Sequence, residues 1–320
     1  MHSSLSIGRL FAGMILALAA VALAQPPATE SGFVQVEDDV RLFYQRFGTG
    51  TPKVLVANRH ELLGTLAPLL YRHDVVLYDP RGRGMSDRPD DLTRYGIERE
   101  IADAEALRQH LGVERIGYVG NSLWGNVALL YAAHHPERMS LVVALGPLEV
   151  ATELFSEPER FIERDTSHLS DMIAEKEAME ADGRAQSDPF AYCRIEKYLG
   201  TLESYVHESS MAYFVAANLC QYENEHVDRI LPVVFEGTLA AAGEWDWRDD
   251  MSRVEAPVLL LYGDHDWALE GIRAHADHLR DVGWLMIPDA GHGVATDRAN
   301  VVIPMLDTFF RGQWPDGVNR

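Results

Sequence analysis

A serine hydroxyl attacks a carbonyl at neutral pH only when a neutral imidazole takes its proton and a carboxylate fixes that imidazole in the right tautomer. This chain offers one residue of each type in a distinctive setting. Ser122 stands in RIGYVGNSLWGNVALL, residues 115–130, after a buried-strand run and directly before a helical one. A serine in such a sharp turn has its Oγ lifted above the sheet edge, and the N–H groups that follow it favour developing negative charge. Gly120 is the small residue this turn needs two positions earlier. Two positions later stands Trp124, with Gly125 after it, so the pattern departs from G-x-S-x-G. The plain alternative is a serine that caps a helix. Trp124 packs on the helix side or turns into the pocket as a substrate contact; position alone leaves both open.

Asp266 closes LLLYGDHD, residues 259–266, just past another buried-strand run, where an acid enters the crevice at the carboxyl ends of parallel strands. Asp264 competes with it. Asp266 is preferred because it lies three residues beyond Gly263, far enough to leave the strand and turn back. A solvated turn carboxylate is the bland reading. His292 sits in PDAGHG, residues 288–293, between two glycines that free the loop to aim an imidazole. Asp264, His265 and Asp266 make a poor metal site, since adjacent strand residues point in opposite directions. The chemistry of such a triad needs neither a metal nor an organic cofactor.

The elements that must position these residues are legible as patterns. Residues 32–37 and 40–47 alternate and read as an antiparallel hairpin. Short continuously apolar runs at 53–57, 74–78, 115–119 and 141–145 read as parallel strands buried on both faces, with helices expected at 97–111 and 123–135. From 149 to 255 buried-strand runs give way to helix formers, charges and scattered aromatics. Strand-like runs return at 257–262 and 284–287, and a helix is expected over 298–311. One α/β domain of residues 25–148 and 256–320, interrupted by a helical insertion at 149–255, accounts for this pattern.

The chain has 320 residues, 28 Lys plus Arg against 49 Asp plus Glu, and a formal charge of −21. Such a balance repels phosphate backbones and anionic lipid, which argues against nucleic acid as a partner. Residues 1–24 carry an uncharged apolar run of about 14 residues ending in Ala22-Leu23-Ala24, read as a signal peptide cleaved before Gln25. That run is short of the roughly 20 residues a membrane span needs, so the mature chain is expected to be secreted or periplasmic, without a stable anchor. Cys193 and Cys220 read equally as a disulfide or as two buried thiols.

Taken together, the elbow, the DPRGRGMSD loop starting at Asp79 and the APVLLLYGDHD strand ending at Asp266 resemble the α/β-hydrolase superfamily, in its lidded carboxylesterase and proline iminopeptidase-like group. The likeness runs from Gly32 to Arg311, and Ser122, Asp266, His292 follow the superfamily's chain order. Related dehalogenases and epoxide hydrolases carry Asp where this chain has Ser122. After the strand at 53–57 the family has His-Gly, whereas this chain reads Asn58-Arg59-His60-Glu61. By position, the backbone N–H groups of His60 and Leu123 would form the oxyanion hole. Arg59 reads as a grip for an acidic substrate group or as an exposed loop residue. The resemblance implies that the insertion is a lid. Tyr205, Tyr213, Phe214 and Tyr222 line a pocket there or merely pack, and Glu223 and Glu225 meet a substrate amine or lie in a solvated loop. The expected activity is cleavage of a small carboxylic ester through an acyl-serine. An aminopeptidase is the alternative enzyme, and a binding protein that kept the pocket without turnover is the alternative outside enzymes.

Overall fold

Strand β1 (Glu30–Glu37) pairs with β2 (Val40–Phe47), and β2 with β4 (Asp74–Tyr78), both antiparallel. All other pairings are parallel, through β3 (Lys53–Val56), β5 (Ile116–Asn121), β6 (Met139–Leu145), β7 (Val258–Gly263) and β8 (Val282–Ile287). The sheet order is β1-β2-β4-β3-β5-β6-β7-β8. This computed structural model describes residues 26–37, 39–49, 53–154, 169–202, 204–215, 238, 243–268 and 271–320, with the backbone alone for His60 and residues 212–214.

The buried runs become central strands because alternate residues feed two cores. Leu55, Val76, Tyr118, Val142 and Leu260 face the core covered by α2 (Ile97–His110) and α3 (Leu123–His134). Val54, Val75, Val119, Val143 and Leu259 face the opposite core, covered by α1 (Arg59–Leu70) and α8 (Ala299–Phe310). Helix α1 replaces the loop expected at 58–61. Leu62, Leu63, Leu66, Leu69 and Leu70 recur at helical spacing and are all buried against the sheet.

Between β6 and β7 the chain leaves at Ala151 and returns at Asp246, which form a bridge, flanked by Thr152 N to Trp245 O (2.9 Å) and Trp247 N to Val150 O (2.9 Å). Helices α4 (Ser170–Asp182), α5 (Pro189–Gly200) and α6 (Glu208–Phe214) lie in that excursion. Cys193, on α5, is disulfide-bonded; Cys220, Tyr222, Glu223, Glu225 and residues 1–24 lie outside the described residues. Helix α7 (Gly271–Ala276) follows β7.

Candidate active site

Ser122 occupies the single residue between the end of β5 and the start of α3, with φ 56° and ψ −131°. A non-glycine residue there carries roughly 1–3 kcal/mol of backbone strain, so its surroundings must hold it. Ser122 N donates to Leu145 O at 2.9 Å, and Gly125 N donates to Ser122 O at 2.7 Å. The chain doubles back so closely that a methyl group at Gly120 would lie 1.9 Å from Trp124 O. Leu123 begins the helix, where N–H groups of the first turn have no intrahelical acceptor.

Trp124 takes the helix-side placement, which corrects its candidacy as a substrate contact. Its ring is buried in the α2–α3 core, with the Arg83 guanidinium 4.0 Å above it and Nε1 donating to Glu100 Oε2 at 3.4 Å. Gly125, one residue later, packs closely on the next strand end: a methyl there would approach Pro147 Cβ to 3.0 Å.

Asp266 and His292 meet across the ends of β7 and β8. Asp266 is fully buried; its Oδ1 accepts from Ala268 N at 3.0 Å and pairs with His292 Nδ1 at 2.9 Å. Asp264 instead pairs with His265 at the surface, 2.6 Å away. Burial opposes charge on His292, but the Asp266 carboxylate, helped by Glu149 and Glu61, outweighs it and holds the imidazole pKa above the ordinary 6.5. The dyad approaches the elbow through Gly146. Its neighbour Leu145 accepts the Ser122 N–H, and a methyl on Gly146 would lie 2.8 Å from Asp266 Oδ2 and 3.3 Å from His292 Nδ1. Among the described residues no hydrogen bond joins Ser122 to His292; in unliganded sites such bonds are often long and tighten around substrate.

Asn58, the first residue after the strand run at 53–57, adopts a left-handed conformation, φ 57° and ψ 54°, which Asn tolerates better than other side chains. The backbone of His60 therefore lies in the first turn of α1, with its N–H among the orphan donors of that helix end. Arg59 is not an exposed loop residue. Its guanidinium is buried, bonds Asp79 Oδ2 through Nη2 (2.8 Å) and Nε (3.1 Å), and stacks 4.8 Å from the Phe43 ring. Its charge is met by Asp79, which corrects its assignment as a grip for a substrate anion.

A family model described as the alpha/beta hydrolase fold matches residues 49–299. The chain is an α/β hydrolase. It is 24% identical over 261 residues to a proline iminopeptidase of Lactobacillus acidophilus, covering 78% of this chain and 84% of that one. It is 23% identical over 290 residues to a non-heme haloperoxidase of Rhodococcus erythropolis, covering 87% and 98%. Among solved structures, a serine hydrolase from Cycloclasticus zankles superposes with a TM-score of 0.64 at 19% identity, over 88% of this chain and 98% of that one.

Three further residues, Asp297, Trp267 and Gly146, bear on the site of the hydrolase. Asp297 accepts from Gly291 N (2.9 Å), Val206 N (2.8 Å) and His207 N (3.3 Å), so one carboxylate ties the inserted segment to the loop carrying His292. The same two segments touch where Gly293 N donates to Ser204 O at 2.8 Å and where Tyr205, which is buried, lies over Gly293. An acid five residues after His292, closing the short helix Val294–Asp297, was the available signal for Asp297. Trp267 stacks on His292, and Gly146 abuts the dyad. Nothing in their spacing announces either contact.

Proposed function

We propose that the hydrolase cleaves a small carboxylic ester by acyl transfer through Ser122. The observation supporting this most strongly is the strained elbow turn at Ser122 beside a buried, hydrogen-bonded His292–Asp266 dyad. His292 takes the Ser122 proton as Oγ adds to the ester carbonyl. The Leu123 and His60 N–H groups, orphaned at two helix starts, receive the oxyanion. Collapse of the tetrahedral intermediate breaks the bond to the alcohol, which leaves with the proton returned by His292. Water, activated by the same imidazole, then releases the acid and restores Ser122. Asp266 keeps the tautomer and balances the imidazolium throughout. The inserted helices act as a lid that shapes the substrate and limits water.

A second reading is favoured by the similarity to proline iminopeptidases: release of a small N-terminal residue, with Glu223 or Glu225 meeting the substrate amine. Export with a mature start at Gln25 accompanies either reading.

The test is p-nitrophenol release from acetyl and butyryl esters beside release from prolyl p-nitroanilide, with Ser122→Ala and fluorophosphonate labelling as controls. Ester turnover and labelling that both vanish in Ser122→Ala support the esterase. Turnover of the anilide in preference to esters transfers the case to the aminopeptidase. Neither turnover nor labelling by folded protein would leave the binding-protein reading.

A further inference from the structure

We infer that Trp267 is a positioning residue for His292, its indole face holding the imidazole against Asp266 and favouring the charged ring. This deepens the reading above and rests on His292 being the proton carrier.

The geometry is compact. Trp267 follows Asp266 directly, and the turn after β7 sends the two side chains to different sides of the same imidazole. Asp266 Oδ1 takes the edge, 2.9 Å from Nδ1. The Trp267 ring takes the face, with centroids 4.5 Å apart and planes 31° from parallel. An edge contact alone leaves the ring able to swing about the line to its carboxylate partner; a large flat group on the face removes that freedom. The Ala268 N–H, on the far side of Trp267, also binds Asp266 Oδ1 at 3.0 Å, so the segment 266–268 is a single clamp built on one carboxylate.

The face contact also discriminates between protonation states. An indole face is the negative end of a quadrupole and attracts a cation within about 6 Å of its centroid, whereas a neutral imidazole gains much less. In acyl transfer the imidazole becomes cationic at each tetrahedral intermediate, so a contact that grows with charge stabilises the transition states more than the ground state. The other groups bearing on His292 are Asp266 after β7, Glu149 after β6 and Glu61 on α1, with Tyr205 of the insertion over neighbouring Gly293. The acidic groups act in the same direction as the indole, so its share is separable only by changing Trp267 itself.

The test compares Trp267→Leu, which keeps apolar bulk and removes the π face, with Trp267→Phe, which restores a face. The first readout is the His292 pKa in the full chain, followed through its imidazole Hε1 resonance and assigned by its loss in His292→Gln. Trp267→Leu is expected to lower it by about half to one and a half units, and Trp267→Phe to recover much of that drop. The second is the pH profile of p-nitrophenyl acetate hydrolysis: roughly a 3- to 30-fold fall in plateau kcat with little change in KM, and an acid limb moved to lower pH in the leucine variant. An unchanged His292 pKa in Trp267→Leu, or equal pKa values in the Leu and Phe variants, overturns the inference. Because the titration needs no substrate, an inactive wild type would sink the esterase reading while the resonance still decides the role of Trp267.

Discussion

Replacing Gly146 by alanine should damage the dyad directly, and the size of the effect follows from the distances. A methyl at this position would lie 2.8 Å from Asp266 Oδ2, whereas ordinary contacts begin at 3.4 Å, so something must move by about 3.4 − 2.8 = 0.6 Å. The obstacle is a buried carboxylate fixed by Ala268 N and His292 rather than the end of a flexible chain. Gly146 also sits at φ +50°, where alanine costs roughly 1–2 kcal/mol. With overpacking of about 1–3 kcal/mol, the variant should lose roughly 2–5 kcal/mol of stability. A misplacement of about 1 Å in a catalytic group costs ~100-fold, so a shift of this order predicts a 10- to 100-fold lower kcat at temperatures where the variant stays folded. Gly112→Ala is the control: its φ is +63° but nothing lies within 4 Å of the added methyl. That variant should show the backbone penalty in a urea melt and normal ester hydrolysis. Equal kcat in the two variants would refute the reasoning that Gly146 sets the Asp266–His292 geometry.

Other perturbations test separate parts of the structure. Asp297→Ala strands three N–H groups on two segments; about 2–4 kcal/mol of stability and a several-fold fall in kcat are expected in denaturant melts and steady-state assays. His292 must be neutral to accept the Ser122 proton and its pKa is held high. Ester kcat/KM should therefore rise with pH through a midpoint above 6.5, and Glu149→Gln should move that midpoint down. A midpoint below the ordinary value would contradict the assigned electrostatics. Burial, with Asp103 nearby, pushes the Glu100 carboxyl pKa up, so the folded state retains a proton that the unfolded chain loses. Its contribution to stability therefore declines as pH rises from the usual carboxylate range toward the raised folded value, and Glu100→Gln should flatten this decline in melts taken from pH 5 to 8.

How much was legible depends on how local the cause is. The strand runs at 74–78 and 141–145 were visible because burial on both faces demands continuous apolar residues, and the structure places β4 at Asp74–Tyr78 and β6 at Met139–Leu145. Helix α1 was obscured because the residue that leads into it, Asn58, has a positive φ that cannot be read from the residue name, although the leucine spacing behind it was present. Asp266 and Asp264 are two residues apart in one turn, and only the pairing with His292 separates them in space.

Periodicity and turn-forming residues act over a few neighbours, so the residue order alone disclosed an α/β domain of buried strands and helices, and the resemblance of three motifs added the hydrolase superfamily with its order of serine, acid and histidine. Tertiary structure alone decided where the charged and aromatic side chains went. Arg59 found Asp79 20 residues away, and Trp124 found Glu100 24 residues back. Trp267 found the face of His292. Buried charges and rings settle against whichever partner the folded sheet brings within reach, and that partner is distant in sequence.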